Sequence, residues 1–492
     1  MKAEILCNKN YPVAEIDPKL YGSFVEHLGR AVYGGVYQPD HPTADDMGFR
    51  KDVLDMVKQL EVPIIRYPGG NFVSGYKWED GIGDRSKRPQ RMELAWQTIE
   101  TNQVGIDEFQ EWCKRAGSEL MMTVNLGTRG PEEAKDLLEY CNSTTDTYYA
   151  NLRRQNGHEE PFNIKTWCLG NEMDGPWQIC HKTAEEYGRT ASETAKLMKL
   201  IDPDIKMVVC GSSNSDMPTF IEWEQTVLQH TYELVDYISL HNYYGNPNND
   251  TADYLSRSIT MDGFIKTVAA ICDTVKTQKH SDHQVDLSFD EWNVWFHSND
   301  ADAAMEHWQI APPQLEDIYT FEDALMVGCL LSTLQNNCDR VRMACLAQLV
   351  NVIAPIMTNN NGGAWAQTIF YPFMYGSVYG RGTALKPVVK CDTYDCPSHN
   401  GVPYVSTSVI DNHEKRELVV FAVNRSLDDS VELTFNAEDY GDVKLVEHKE
   451  LYSDDLKAVN TENNAAVTPA DGDMSDCPVL KKHSWNMLRY SY

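Results

Sequence analysis

Two glutamates stand out in this sequence for the chemistry that they could perform. Glu172 ends the segment Trp167-Cys-Leu-Gly-Asn-Glu, Glu291 lies in Ser288-Phe-Asp-Glu-Trp-Asn, and most neighbours of both are apolar. Cleavage of an acetal requires a proton on the leaving oxygen and a negative group opposite it, which captures or stabilises an oxocarbenium-like centre. Either acid alone could equally be an ordinary loop residue. The Asn before Glu172 and the aromatic residues after both acids favour a catalytic pair.

Such a pair needs elements that bring the two acids together. Short apolar or β-branched runs alternate along the chain with longer segments of helical periodicity, which is typical of parallel strands joined by helices. Each run is nearly continuous in hydrophobicity, as in a strand buried on both faces, and turns polar at its carboxyl end. The eight runs cover residues 21–29, 63–70, 119–127, 163–172, 206–213, 237–244, 286–295 and 342–351.

Eight such units predict an α/β protein with a (β/α)8 barrel over residues 19–382. A barrel usually takes ~250 residues, and this stretch fits once two long loops, 70–100 and 296–320, are allowed. Both loops follow a strand, so we expect them on the active face of the barrel.

The remainder of the chain has a different pattern. Alternating runs separated by turn residues predict an antiparallel β-sandwich, and they cover residues 404–410, 417–424, 431–435 and 443–447. Residues 1–18 hold two apolar runs that are too short to fold alone. We therefore predict a jelly-roll-like second domain made of residues 1–18 and 383–492, packed rigidly on the barrel.

Barrel enzymes carry their catalytic side chains at the carboxyl ends of the strands. Here those positions hold Glu26, His27, Arg66, Asn71, Asn125, Asn171, Glu172, Ser213, Asn214, His241, Tyr243, Asp290, Glu291 and Gln348. Strands four and seven lie across the barrel mouth, so Glu172 and Glu291 are predicted to face each other over a sugar. A separation of ~5–5.5 Å would imply a covalent intermediate and retained configuration.

Four longer motifs resemble those of a known family. They are Gly22-Ser-Phe-Val-Glu-His27, Arg66-Tyr-Pro-Gly-Gly-Asn71, Gly170-Asn-Glu-Met-Asp-Gly-Pro-Trp177 and Asp290-Glu-Trp-Asn293. Together they resemble the family 51 α-L-arabinofuranosidases, and the resemblance spans nearly the whole chain. Many related barrel families carry Pro after the acid/base Glu. Met173 stands here instead, which favours family 51 over cellulase-like relatives.

The resemblance implies an exo-acting, retaining hydrolase that removes terminal α-L-arabinofuranosyl groups from arabinan or arabinoxylan fragments. It makes Glu172 the general acid/base and Glu291 the nucleophile. The negative charge of Glu291 would keep Glu172 protonated, since like charges disfavour double ionisation. Arg66 and the Tyr243 hydroxyl would keep Glu291 ionised.

The same resemblance implies a set of residues that hold the sugar. The arabinosyl hydroxyls would be bound by Glu26, Asn71, Asn171 and Gln348, with Asn171 on the 2-hydroxyl. Trp96 and Trp295 could stack on sugar faces or fill the core, and we predict sugar contact for both. His241 could contact the substrate or pack beneath the site. We expect His27 and Asp290 to be structural supports.

Three alternatives remain open from the sequence. Within the same fold, the substrate could be a β-xyloside or a β-glucan. A sugar isomerase or lyase would instead use a divalent metal held by Glu26, His27, His241, Asp290 and Glu291. Arg66 and Tyr243 argue against this second alternative, since a nucleophile needs them and a metal cage does not. A carbohydrate-binding protein without activity is disfavoured because both candidate acids are intact.

The charge composition of the chain limits the kinds of partner that it can bind. The chain has 43 Lys and Arg against 73 Asp and Glu, a net charge of −30, which repels nucleic acid and anionic membranes and favours a small-molecule substrate. Without a signal-like or membrane-spanning segment we expect a cytoplasmic location. Cys391 and Cys396 form an isolated C-x4-C motif, with no second cysteine pair and no histidine cluster nearby. We therefore predict no metal or other cofactor. The family resemblance suggests a homo-oligomer, such as a hexamer.

Overall fold

Eight parallel strands close into a barrel in the computed structural model, which describes all 492 residues. In chain order they are Gly22–Phe24, Ile64–Tyr67, Glu119–Val124, Thr166–Leu169, Lys206–Val209, Tyr237–Tyr244, Asp286–Val294 and Val341–Ala347. Each overlaps one of the eight predicted runs, so the predicted barrel is confirmed. The predicted runs are longer than most of these strands because they include the polar residues just beyond the strand ends, where the candidate site lies.

Helices cover the outside of the barrel. The α-helices span Lys51–Leu60, Ile106–Ala116, Pro131–Asn142, Tyr148–Gln155, Ala184–Ile201, Glu222–Thr231, Thr251–Ser256, Ser258–Lys279, Asn299–Ala303, Phe321–Asn336 and Phe370–Tyr379. The first helix shows why they form, since Val53, Val57 and Leu60 recur on one face and are completely buried. No helix is both long enough and apolar enough to cross a membrane.

The inside of the barrel is filled by side chains rather than open. Phe24, Ile64, Met121, Cys168 and Val208, one from each of the first five strands, belong to one buried apolar cluster. This packing closes the barrel below the strand ends. It therefore gives the polar residues at the carboxyl ends a rigid floor.

The two larger sheets outside the barrel are built mostly from residues that follow it in sequence. The four-stranded sheet has the order Val388–Cys391, Lys2–Leu6, Val431–Asn436 and Val479–Leu480. The seven-stranded sheet has the order Pro12–Glu15, Thr383–Leu385, Val405–Asn412, Glu417–Asn424, Ser484–Ser491, Lys444–Leu451 and Ala470–Asp471. The N-terminal strands thus join the C-terminal sheets, as predicted. The strand Ser484–Ser491, which lies inside the larger sheet, was not predicted.

The strand Glu417–Asn424 explains how these sheets attach to the barrel. Leu418, Val420 and Ala422 point into the core between the two sheets. Val419 and Phe421, on the opposite face, belong to the large apolar cluster that also contains the barrel helices. Because side chains alternate across a strand, this one strand contributes to both cores and packs the C-terminal sheets against the barrel helices.

Candidate active site

A cavity of about 730 Å³ opens at the carboxyl ends of the barrel strands. Eight of the eleven residues predicted for the site line it: Glu26, Asn71, Trp96, Glu172, Tyr243, Glu291, Trp295 and Gln348. The other three, Arg66, Asn171 and His241, are at most 3% exposed. They contact lining residues from beneath. The fold therefore brings all eleven predicted residues to one place.

Glu172 lies in a tight turn after the fourth strand. Gly170 and Glu172 both have positive φ, +86° and +42°, a conformation that costs a residue with a side chain ~1–2 kcal/mol. Glu172 Oε2 accepts a hydrogen bond from Trp177 Nε1 at 2.7 Å. Burial and the charge of Glu291 raise the pKa of Glu172, while hydrogen bonds from His241 and Trp177 oppose this. The turn thus presents a carboxyl group that favours its protonated form.

Glu291 lies in the opposite electrostatic setting. Arg66 donates to its Oε1 at 2.6 Å, and the Tyr243 hydroxyl donates to its Oε2 at 2.8 Å. The other terminal nitrogen of Arg66 donates to Asn171 Oδ1 at 2.7 Å. Both oxygens of Glu291 therefore face donors that stabilise a carboxylate, and one guanidinium aligns the carboxylate with Asn171.

His241 joins the two halves of the site. Its Nδ1 lies 3.0 Å from Glu172 Oε1 and 3.7 Å from Glu291 Oε2, and its Nε2 lies 3.0 Å from Asp290 Oδ1. Burial alone would lower its pKa, but the three carboxylates outweigh burial and raise it to about 10. Burial opposes ionisation of Asp290 in turn, yet Arg66 and His241 lower its pKa. The surroundings of His241 therefore favour its protonated form, which is placed to hold Glu172 from below.

A further buried acid, Glu26, closes the side of the cavity formed by the first and last strands. The carboxylate of Glu26 accepts from the Phe72 backbone N–H at 2.8 Å and from Trp96 Nε1 at 3.0 Å. The Gln348 amide lies 3.4 Å from it and also accepts from the Glu26 backbone N–H. Burial raises the pKa of Glu26 to about 8 despite these bonds. Carboxyl and amide groups here present both donors and acceptors to a polar ligand.

The long loop 70–100 folds into a wall of the cavity. Its strands Arg91–Glu93 and Thr98–Glu100 form a hairpin with Trp96 in the turn. Glu93 fixes this turn, since its carboxylate accepts from the backbone N–H groups of Ala95 and Trp96 at 2.8 and 2.7 Å. Trp96 is thereby held against Glu26. Across the mouth, Trp295 packs edge-on against Tyr243, with ring centroids 5.4 Å apart.

Some lining residues were not predicted. Leu315 and Ile353 come from the loops after strands seven and eight, and Asn242 and Asp216 complete the rim. Only the position of the long loop 296–320 after a strand hinted at Leu315. The contact of Trp177 with Glu172 was also not predicted, although Trp177 stands in the same motif as the acid.

The donor set does not favour the metal-site hypothesis. Oxygens of Glu172 and Glu291 and a nitrogen of His241 do lie within 4.8 Å of one another. Both nitrogens of His241, however, lie 3.0 Å from carboxylate oxygens, those of Glu172 and Asp290. His27 turns away, with its nitrogens 2.9 Å from Glu100 and 2.8 Å from the Tyr67 hydroxyl. Both histidines are thus engaged by carboxylate or hydroxyl groups of the protein, and the five residues of the hypothesis do not converge on one point.

A closed (β/α)8 barrel with two buried glutamates, Glu172 just after strand four and Glu291 in the last half of strand seven, is the arrangement of a glycoside hydrolase of the barrel class. Two family models match the chain, "Alpha-L-arabinofuranosidase 1 domain" over residues 56–257 and "Alpha-L-arabinofuranosidase C-terminal domain" over residues 290–491. The chain belongs to the family 51 α-L-arabinofuranosidases, which confirms the resemblance drawn from its motifs.

Individual relatives agree along the full length. The chain is 56% identical to the intracellular exo-α-(1→5)-L-arabinofuranosidase 1 of Bacillus subtilis strain 168, with 99% of both chains covered. It is 55% identical, again over 99% of both, to the intracellular exo-α-(1→5)-L-arabinofuranosidase of Acetivibrio thermocellus. The solved family 51 α-L-arabinofuranosidase from Bifidobacterium longum superposes with a TM-score of 0.94 at 44% identity, covering 99% of each chain.

Proposed function

We propose that this enzyme removes terminal α-L-arabinofuranosyl groups from arabinan- or arabinoxylan-derived oligosaccharides by double displacement. Glu172 acts as the acid/base and Glu291 as the nucleophile. One observation carries this assignment: an oxygen of Glu172 lies within 4.8 Å of an oxygen of Glu291, while Arg66 and Tyr243 donate to Glu291 and the pKa of Glu172 is raised. So short a gap supports a retaining mechanism, because an inverting enzyme holds its carboxyl groups ~6.5–9.5 Å apart to admit water.

The first step forms a covalent intermediate. The Glu172 carboxyl gives its proton to the glycosidic oxygen as the bond from that oxygen to the anomeric carbon breaks. A Glu291 oxygen forms an ester with the same carbon from the opposite face. His241 and Trp177 hold the Glu172 carboxyl in place for this transfer, and Arg66 and Tyr243 hold Glu291 in place.

The second step reverses the roles. Glu172, now a carboxylate, takes a proton from water while the water oxygen attacks the anomeric carbon and displaces Glu291. Arabinose leaves with its configuration retained. Glu26, Asn71, Asn171 and Gln348 are assigned to the sugar hydroxyls, with Asn171 on the 2-hydroxyl. Such contacts penalise sugars whose hydroxyls are absent or misplaced, which supports arabinofuranosides over β-xylosides or β-glucans.

The names of the relatives support two finer assignments, (1→5) linkages and a location inside the cell. We also assign residues 19–382 to a catalytic domain, and residues 1–18 with 383–492 to a domain of β-sheets packed against it. A homo-oligomer remains a prediction from the family resemblance.

Substitution of the two acids tests the mechanism. Glu291→Ala should abolish turnover. Glu172→Ala should hydrolyse an aryl α-L-arabinofuranoside far better than a natural glycoside. Added azide should restore the activity of this variant, because azide attacks without a general base. Glu233→Ala, at an exposed position, is the control. NMR of the first product should show retained configuration, and aryl β-D-xyloside and arabinopyranoside should be poor substrates. Near wild-type rates for both variants on the natural glycoside would contradict the assignment.

A further inference from the structure

A second cavity of about 550 Å³ opens beside the catalytic one. The two share four lining residues, namely Asp216, Asn242, Tyr243 and Trp295. The edge-on pair of Tyr243 and Trp295 therefore lies between two adjacent cavities. A volume of this size falls within the ~300–1,000 Å³ usual for small-molecule sites.

The position of Glu172 shows which part of a substrate would approach this second cavity. An acid/base protonates the leaving oxygen, so the leaving sugars lie on its side of the catalytic centre. On that side the catalytic cavity is lined by Ser213, Asn214 and Asp216. Asp216 also lines the second cavity, together with Ser215. A leaving chain that extends beyond its first sugar is thus directed along this loop into the second cavity.

The far wall of the second cavity is built before any ligand arrives. The Asp253 carboxylate accepts from the Ser398 backbone N–H at 2.8 Å and pairs with Arg257 at 2.8 Å. The Tyr394 hydroxyl donates to the Ala252 carbonyl at 2.9 Å. These bonds fix a loop from the C-terminal part of the chain onto a barrel helix, so the C-terminal part contributes directly to this cavity.

The lining suits a neutral sugar chain. Trp295 and Phe296 are partly exposed aromatic rings, on which the C–H faces of sugars can pack. Asn248 is exposed and available for hydrogen bonds with hydroxyls. The only cation of the lining, Arg257, is paired with Asp253, whereas Asp216 and Asp250 have no cationic partner. The uncompensated negative charge would repel uronic acids.

We infer that this cavity, from Asp216 to Ser398, binds the further sugars of a neutral oligosaccharide leaving group, so that the enzyme favours substrates of three or more residues over disaccharides. The inference rests on the proposed function, because it places the leaving group by the acid role of Glu172.

Chain-length kinetics test the inference. We would measure kcat/KM for α-(1→5)-linked arabinobiose and arabinotetraose and for an aryl α-L-arabinofuranoside. The tetrasaccharide should exceed the disaccharide by about fivefold, which equals one added hydrogen bond of ~1 kcal/mol. Asn248→Trp, which places a bulky side chain on the cavity lining, should remove this advantage and leave kcat/KM for the aryl substrate unchanged. Asn400→Trp, at an exposed position outside the lining, is the matched control and should keep the advantage.

The outcomes separate the two proposals. Hydrolysis of the aryl substrate with equal kcat/KM for both oligosaccharides would overturn the inference and leave the proposed function standing. So would an Asn248→Trp variant that keeps the full chain-length advantage. Failure to hydrolyse any of the three arabinofuranosides would refute the proposed function itself. Activity on the aryl substrate also shows that each tryptophan variant is folded.

Discussion

Replacing Arg66 by lysine should disable the site without removing its positive charge. Arg66 donates through separate nitrogens to Glu291 and to Asn171, at 2.6 and 2.7 Å. A lysine ammonium is a compact point charge and cannot reproduce this planar fork. Lysine would keep at most one of the two bonds in the same geometry, so either the nucleophile or the amide assigned to the 2-hydroxyl would lose its alignment.

The magnitude follows from the lost bond. A hydrogen bond from a charged group contributes ~1.5–3 kcal/mol, and 1.36 kcal/mol is tenfold in rate. Arg66→Lys should therefore lower kcat/KM on an aryl α-L-arabinofuranoside by about 10- to 150-fold. The effect of Asn171→Ala should overlap with that of Arg66→Lys, because both changes disturb the same hydrogen-bonded unit of Glu291, Arg66 and Asn171. The double variant should fall short of the product of the two single effects, which a double-mutant cycle measures.

A second buried arginine provides the control. Arg153 is completely buried and donates to the backbone carbonyls of Tyr140, Ser143 and His158, away from the cavity lining. Arg153→Lys should lower the melting temperature but leave kcat/KM of the folded enzyme near the wild-type value. A kcat/KM of Arg66→Lys within about threefold of wild type, a difference of less than ~1 kcal/mol, would contradict this prediction. So would an effect that is fully additive with that of Asn171→Ala.

Trp177→Phe should move the alkaline limb of the kcat/KM profile on arabinobiose to higher pH. The hydrogen bond from the Trp177 indole lowers the pKa of Glu172, and activity needs the protonated form of Glu172. An aryl substrate whose leaving group needs no proton should show no such shift. Glu93→Ala should raise KM about fivefold with little change in kcat, as Trp96 loses its ~1 kcal/mol support, and an equal fall in kcat would speak against this. Glu26→Gln should melt at a higher temperature than wild type, by a margin that grows from pH 4.5 to about 8. The raised pKa of Glu26 means that ionisation of this residue destabilises the folded wild type over that range. A margin that does not change with pH would contradict this prediction.

The hydrophobic pattern predicted the barrel because it is a local signal. Each strand is a short apolar run and each helix repeats its apolar residues every three to four positions, so both can be recognised within a window of about 18 residues. The strand Ser484–Ser491 was missed for the same reason, because its segment mixes charged, polar and aromatic residues and its burial comes from neighbours on both sides in the sheet.

Chain order and residue type by themselves determined the eight strands, the side chains at their carboxyl ends and the two glutamates as candidates for catalysis. Only the tertiary structure decided how these residues act on one another. Arg66 meets Glu291 across 225 positions of sequence, and the pairing of strands six and seven sets His241 opposite Glu291. The protonation tendencies depend on burial and on charges a few ångströms away, and no local pattern encodes such distances. The same is true of the second cavity, because its walls come from loops that meet only when the barrel closes and the C-terminal sheets pack against it.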